Sequence, residues 1–237
     1  GFSNVPDAPT MQQVGDGRML APHHPRWKAR QPRDNGAGWD FEDVRDHYQR
    51  LLFEQDPVTL RSADVARYYE LARLVPGEVM RRVFAEWRDP ARGCGGGLVW
   101  IYTDLVPGAG WGVIDSTGQP KASYWYLKRA WARRTVALLD DGLDGLAVLL
   151  NNDTSCAVES TLEIDFLMRG SRTVATTRVP VRVEPRGNAR LQVDALLGYF
   201  SDSTYAYRFG PPAFDCVTAR LIRTTSGWLI ASDYFFP

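Results

Sequence analysis

Two indole rings and a carboxylate lie close together in the sequence, at Trp100, Asp104 and Trp111. An indole packs well against the apolar C–H face of a sugar ring, and a carboxylate accepts two hydroxyl protons. If residues 98–104 form a barrel strand, its C-terminal end and the following loop face the active-site side. The alternative is a tryptophan in a core and an aspartate that caps the next turn.

A second polar and aromatic group, His23, His24 and Trp27, falls in the opening segment. Adjacent histidines rarely point at one ion, and no cysteine or carboxylate stands at a metal-ligand spacing, so we expect no metal. We also find no phosphate-binding loop, dinucleotide fingerprint or nucleophile elbow, and therefore expect no cofactor. The group is either a solvated loop or part of a substrate rim.

The composition restricts the possible partners. The 237 residues carry 28 basic and 28 acidic side chains, and this balance argues against nucleic-acid and anionic-membrane partners. No apolar run approaches the roughly 18–20 residues that cross a bilayer. The three cysteines are too few for a disulfide scaffold, and unpaired thiols favour a reducing cytoplasm, although any export signal would precede Gly1.

Helical periodicity begins after a long segment, residues 1–38, that we predict to be a loop. Asp40 is positioned as the N-cap of a first helix, whose apolar stripe we expect to be buried: Phe41, Val44, Tyr48, Leu51 and Leu52. A second helix is predicted from Asp64 to Trp87, kinked or split at Pro76. The acidic residues of these helices are expected on solvated faces or in intrahelical ion pairs: Glu42, Asp43, Asp46, Glu78 and Glu86.

The pattern then changes twice. Residues 98–102 predict a strand buried on both faces, and Pro120 begins another helix, as in an α/β barrel or a doubly wound sheet. From Thr135 onward, short strands separated by turn residues predict an antiparallel β-sandwich, with a domain boundary near Arg133. The predicted strands are 136–138, 146–150, 162–166, 179–183, 191–193, 205–209, 217–221 and 228–231.

Residues 98–131 resemble the last strand, loop and helix of the barrel in β-mannosidases of glycoside hydrolase family 2. The positions that match are Trp100, Asp104, Pro107, Trp111, Gly118, Pro120, Lys121 and Ala122, whereas Thr103 and Val106 replace the usual Asn and Trp. The resemblance implies an α+β multidomain fold. Residues 1–133 would be the last strands and helices of a (β/α)8 TIM barrel, and residues 134–237 an immunoglobulin-like antiparallel β-sandwich.

The resemblance also implies a retaining glycoside hydrolase that cleaves terminal β-linked sugars. Gly1-Phe2 is similar to the end of a Ser-Glu-Phe-Gly-Phe segment, which would place the nucleophilic Glu just before Gly1 and the acid/base Glu further upstream. No catalytic residue would then lie in this chain, which alone should be inactive and would need the missing N-terminal part as a partner. Its contribution would be the substrate-binding wall and rim, with a cis Trp100–Ile101 peptide: Trp100, Asp104, Trp111, Trp27, His23 and His24.

Two alternatives remain open. The chain could be a non-catalytic carbohydrate-binding or structural β-sandwich module with a barrel remnant, which the substitutions at Thr103 and Val106 favour. It could also belong to a family 2 enzyme of another specificity, such as a galactosidase or glucuronidase. A Ser-Glu-Phe directly before Gly1 would distinguish the enzyme from the module.

Overall fold

The computed structural model describes residues 2–237, which divide into two compact units. Unit 1 contains residues up to 83 together with 96–129, and unit 2 contains residues 84–95 together with 130–237. The helices are α1 (Ala8–Val14), α2 (Pro25–Lys28), α3 (Phe41–Phe53), α4 (Pro57–Ala63), α5 (Val65–Trp87), α6 (Ala122–Ala130) and α7 (Val193–Leu197), with a 3₁₀ turn at Pro90–Arg92. The strands are β1 (Arg134–Asp140), β2 (Leu146–Asn152), β3 (Val158–Met168), β4 (Arg172–Val183), β5 (Gly187–Gln192), β6 (Cys216–Arg223) and β7 (Leu229–Phe235).

The opening segment is not the continuous loop that the sequence predicts. It contains α1 and α2, each with a proline in its first turn, where the missing amide costs no hydrogen bond. The short α2 is capped by His24, whose Nδ1 accepts from the amide of Arg26. Met11 of α1 and Trp27 of α2 pack with Tyr69 of α5 in one buried cluster, and this packing stabilises helices too short to form alone.

Helix α3 begins as predicted, but a different face of it is buried. Asp40 accepts from the amide of Glu42, and the Asp43 side chain accepts from the amide of Asp40, which completes a capping box. The buried positions are Glu42, Arg45 and Gln49, while Leu51 of the apolar stripe is exposed. Glu42 is therefore not on a solvated face, and it takes the other expected arrangement, an intrahelical ion pair with Arg45 at 3.0 Å.

Helix α5 continues through Pro76 and is not split. The next residue, Gly77, faces the ring of Tyr126 in α6, and a Cβ at this position would lie 2.3 Å from that ring. Tyr126 also donates to Glu78 over 2.9 Å, so α5 and α6 are in close contact within unit 1. Among the helices of residues 2–237, none is long and apolar enough to span a bilayer.

The predicted buried strand at residues 98–102 is wrong. These residues form no regular strand, and Leu98 is 99% exposed. Within residues 2–237, their backbone contact is limited to the amides of Val113 and Ile114, which donate to the carbonyls of Ile101 and Tyr102, next to an isolated bridge between Thr103 and Ile114. A strand is stabilised by hydrogen bonds to a neighbour, and no strand among the described residues of unit 1 lies alongside this segment.

Unit 2 contains two antiparallel sheets with the orders β1-β2-β5 and β4-β3-β6-β7. Both sheets contribute side chains to one buried core, including Val148 and Leu150 from the first and Ile164 and Phe166 from the second. Residues 205–209, predicted as a strand, instead belong to a long loop before β6, because Asp202 and backbone carbonyls bind this segment in turns. Val193, predicted at the end of a strand, instead begins α7.

The first sheet is buried on its other face as well. Ala137, Leu139, Ala147 and Leu149 form a second cluster there, against which Ala85 of α5 packs. Every residue of β2 is consequently buried. Residues 84–95 group with the sheets, although in the sequence they precede residues 96–129 of unit 1.

Candidate functional site

The loop between residues 104 and 121 is organised around a buried ion pair. Lys121 Nζ contacts the carboxylate of Asp104, and both side chains are almost fully buried. The other oxygen of Asp104 accepts from the amide of Gly112 over 2.7 Å. Burial lowers the pKa of Lys121, and the charge of Asp104 opposes this effect. The structure therefore places Asp104 beneath the loop, with both oxygens bound to protein, and not on the loop surface.

The same lysine joins this loop to the first residues of the chain. Lys121 Nζ donates to the carbonyl of Asn4 over 2.8 Å. The amide of Asn4 donates to the carbonyl of Gly110 over 2.9 Å, and its side-chain Nδ2 donates to the carbonyl of Trp111 over 3.1 Å. Asn4 is thus fixed against the loop that carries Trp111.

Two glycines, Gly110 and Gly112, allow the loop to pack closely against Asp104. A Cβ on Gly110 would lie 2.3 Å from an Asp104 carboxylate oxygen, and a Cβ on Gly112 would lie 2.5 Å from the Asp104 amide nitrogen. Because real side chains essentially never come this close, only glycine fits at either position without a shift of the loop. Both glycines belong to the sequence motif 98–131, but their packing role depends on the approach of Asp104, which the motif alone does not predict.

Aromatic rings cover the outer side of this region. Trp111 packs edge-to-face on Phe41 at 5.4 Å between centroids, and Trp39 packs on Phe41 at 5.5 Å. Trp100 is 74% exposed, and the Trp100–Ile101 peptide is cis, as predicted. Tyr102 is exposed as well. Unit 1 therefore presents several flat apolar faces to solvent, the side-chain type that stacks on sugars.

The histidines and Trp27 do not gather into one group. His24 caps α2, and His23 Nε2 contacts Arg61. Trp27 is 1% exposed, and its indole nitrogen donates to Glu42 over 3.4 Å. The expectation of Trp27 at a rim is therefore corrected, because its ring packs in the core of unit 1. Among residues 2–237, no group of three or more His, Cys, Asp or Glu side chains could hold a metal ion.

A buried charged network lies beneath the first residues of the chain. Glu42 accepts from Arg45 at 3.0 Å and from Lys28 at 2.8 Å, and the hydroxyl of Tyr68 lies 3.3 Å away. Burial alone would raise the pKa of Glu42, but the charges of Arg45 and Lys28 outweigh it and hold this pKa below its usual value. Burial raises the pKa of Tyr68, which keeps its hydroxyl protonated.

Arg45 connects this network to Ser3. Its Nη1 donates to the hydroxyl of Ser3 over 2.5 Å, while Nη2 donates to Tyr68 over 3.0 Å. Tyr68 in turn donates to Asp46 over 2.8 Å, and Asp46 contacts Arg61. Burial raises the pKa of Asp46. The fully buried Arg45 thus binds Ser3, and Lys121 binds the next residue, Asn4.

The sequence contains one signal for this network, a stripe of polar side chains along one face of α3. Glu42, Arg45 and Gln49 stand at i, i+3 and i+7, which is one face of a helix just as the apolar stripe is. The partners Lys28 and Tyr68 come from other helices and are distant in sequence. Without them, a charged stripe is expected on the surface.

Comparisons with known proteins identify relatives over part of the chain. A β-mannosidase B from Aspergillus clavatus is 24% identical over 179 residues, which cover 68% of this chain and 21% of that protein. A β-mannosidase B from Aspergillus niger is 31% identical over 94 residues, which cover 38% of this chain and 11% of that protein. No family model matches the chain. The chain thus spans about a fifth of the length of the β-mannosidase B from Aspergillus clavatus.

Solved structures extend the similarity to the whole chain. A β-D-mannosidase from Dictyoglomus thermophilum superimposes with a TM-score of 0.75 at 16% identity, covering 100% of this chain and 26% of that one. An exo-chitosanase from Amycolatopsis orientalis gives a TM-score of 0.70 at 15% identity, covering 99% of this chain and 26% of that one. The predicted resemblance to β-mannosidases is confirmed, and the fold of mixed helices and antiparallel sheets is shared with these enzymes.

Proposed function

We propose that this chain is the C-terminal part of a retaining glycoside hydrolase of the β-mannosidase type. Unit 1 would be the end of a (β/α)8 barrel, and the sheets of unit 2 an immunoglobulin-like sandwich, with the domain boundary near residue 133. The catalytic carboxylates would come from the part of the protein before Gly1. Gly1 itself, which the resemblance assigns to the nucleophile segment, lies outside the described residues.

The observation that carries this proposal is the connection between Asn4 and the loop of residues 104–121. Asn4 is bound to Lys121, Gly110 and Trp111 by three hydrogen bonds between 2.8 and 3.1 Å. Asn4 is therefore fixed at the loop that carries Trp111, and the nucleophile would lie five residues before Asn4 in the chain. In a barrel, the ends of successive strands meet on the active-site face, so we infer that the nucleophile and this loop share that face.

The residues of the loop take different roles in this proposal. Trp100 and Trp111 offer ring faces to the sugar, and Asp104 positions the loop through Lys121 and Gly112 without touching substrate. The buried indole nitrogen of Trp111 has no acceptor among residues 2–237. His23 and His24 would lie at the outer rim, where His24 caps α2 and His23 contacts Arg61.

The reaction itself divides between the two parts of the protein. In retaining hydrolysis one carboxylate attacks the anomeric carbon and another protonates the leaving oxygen, with the carboxyl groups about 5–5.5 Å apart. This chain would supply the sugar-binding wall and fix the end of the strand that carries the nucleophile. The exposed side chains of Leu98, Tyr102 and Leu105 would be covered when the barrel closes.

The experiment is an assay of the longer protein, extended before Gly1 to include the rest of its reading frame, on a p-nitrophenyl β-D-mannopyranoside. We expect hydrolysis with retained anomeric configuration, and no hydrolysis by residues 1–237 alone. A Trp111→Ala variant of the longer protein should lose most of the activity. Gly38→Ala is the matched control, since its Cβ meets nothing within 4 Å.

Two outcomes would contradict the proposal. Hydrolysis by residues 1–237 alone would show that the catalytic groups lie within this chain. A longer protein that hydrolyses no aryl β-glycoside, and that lacks a Glu two residues before Gly1, would favour the non-catalytic module. Activity on a galactoside or glucuronide in place of the mannoside would keep the enzyme class and change the sugar.

A further inference from the structure

We propose that unit 2 carries a second carbohydrate-binding site, an aromatic platform formed by Phe200, Tyr207 and Phe209. Tyr207 and Phe209 are stacked, with centroids 5.5 Å apart and planes inclined by 22°, and Phe200 packs edge-on against Tyr207 at 5.4 Å. Phe209 is 77% exposed, so the outer face of the stack is open to solvent. No part of the sugar site proposed above includes these residues.

Hydrogen bonds hold the loop that carries the platform in a fixed conformation. The carboxylate of Asp202 accepts from the amides of Tyr207 and Arg208, the latter over 2.9 Å. The hydroxyl of Tyr207 donates to the carbonyl of Leu143 over 3.1 Å, and Thr204 donates to the carbonyl of Gly142 over 2.7 Å. The three rings are therefore carried by a loop that hydrogen bonds hold in one conformation.

Two residues of the platform loop have an unusual backbone conformation. Tyr205 and Arg208 both have a φ of 54°, in the left-handed region that non-glycine residues rarely adopt. The turn at Tyr205 is closed by its hydroxyl, which donates to the carbonyl of Gly210 over 2.8 Å. Residues held in this region tend to cluster at ligand-binding loops, because stability alone would favour a relaxed backbone.

A small cavity adjoins the platform. It has a volume of about 130 Å³, and its lining includes Ser201, Asp202, Tyr205, Phe209 and Pro212. At about 30 Å³ for each water molecule, this space admits roughly four waters, or the hydroxyl groups of one edge of a sugar. A ring face beside the hydroxyl groups of Ser201 and Tyr205 is a combination that binds a neutral pyranose.

The chemistry favours a sugar chain over a protein partner. Within residues 198–214, every large apolar side chain that is exposed is aromatic: Tyr199, Phe200, Tyr207 and Phe209. A stable protein interface needs about 800 Å² on each partner with a packed core, which this small ridge does not offer by itself. The choice of a mannan-type chain as the ligand rests on the function proposed above. The platform itself is argued only from the geometry and exposure of its rings.

The test is affinity electrophoresis of residues 1–237 through a gel containing a soluble β-mannan. We expect the chain to be retarded, and Phe209→Ala to weaken the retardation about five- to tenfold. Trp228→Ala is the matched control, because Trp228 is also 77% exposed in unit 2 but lies in the turn between β6 and β7. It should be retarded like the unchanged chain.

Three results would overturn the proposal. The first is absence of retardation, and the second is equal loss in the Phe209→Ala and Trp228→Ala variants. The third is self-association of the chain that Phe209→Ala abolishes, measured by sedimentation, which would make the platform a contact between copies. The aryl mannoside assay of the longer protein contains no polysaccharide, so failure of the catalytic proposal and failure of the platform are distinguishable.

Discussion

Replacing Arg45 by methionine should destabilise unit 1 strongly. Methionine retains much of the volume of the arginine stem but leaves Glu42, which is fully buried, without its closest buried cation. Removing one partner of a buried ion pair costs about 3–5 kcal/mol. Lys28 also binds Glu42 at 2.8 Å, so we expect the lower end of this range, about 3 kcal/mol.

The control is the same substitution five residues further along α3. Arg50 pairs with Asp56 at 2.8 Å, but the Arg50 side chain is 56% exposed. Exposed ion pairs contribute about 0–1 kcal/mol, so Arg50→Met should cost less than 1 kcal/mol. Hydrogen exchange of the α3 and α5 peptides, measured by mass spectrometry with urea unfolding in parallel, reports the stability of unit 1 separately from unit 2.

The dependence on pH gives a second signature. In the unchanged chain the pKa of Glu42 is depressed, so its stabilising contribution is present above the unfolded value of about 4.3 and disappears as the pH falls through the folded pKa. Without Arg45, burial should dominate and raise the pKa of Glu42. The variant should then gain stability as the pH falls towards about 4.3. Equal costs for Arg45→Met and Arg50→Met, with no such gain, would refute the reasoning.

Further substitutions test other parts of the structure by thermal or urea unfolding. Gly112→Ala should cost about 1–3 kcal/mol, because its Cβ would lie 2.5 Å from the Asp104 amide, whereas Gly38→Ala should be harmless. Trp100→Ala should change stability by less than about 0.5 kcal/mol, since the ring is exposed, and a large loss would show that Trp100 belongs to a core. Leu149→Ala in the fully buried β2 should cost about 2–5 kcal/mol, and an equal cost for the exposed Leu143→Ala would contradict the burial argument.

The sequence predicts best those features that neighbouring residues determine. Asp40 caps α3 as predicted, because a capping box needs only residues three apart. The turn at Arg169-Gly170 joins β3 and β4 for the same reason, since Gly170 adopts a φ of 64°. The motif around Trp100 and Lys121 indicated the family resemblance through side-chain types alone.

Features that depend on distant partners could not be predicted in this way. The charged face of α3 is buried because Tyr68 and Lys28 meet it, and neither position can be inferred from the helix itself. Residues 98–102 have the apolar composition of a buried strand, yet no neighbouring strand among the described residues pairs with them. Trp27 looks like a surface aromatic in a polar segment until α5 covers it.

The place of residues 84–95 in unit 2 has a consequence for synthesis on the ribosome. Asp89 is buried and binds Arg190 at 3.1 Å, across a separation of 101 residues. At about 5–20 residues per second, Arg190 is made about 5–20 s after Asp89. During this interval Asp89 lacks its partner Arg190. Ala85 likewise lacks the cluster on which it packs until β1 and β2 have been made. This segment should therefore be among the last parts of the nascent chain to become protected from protease.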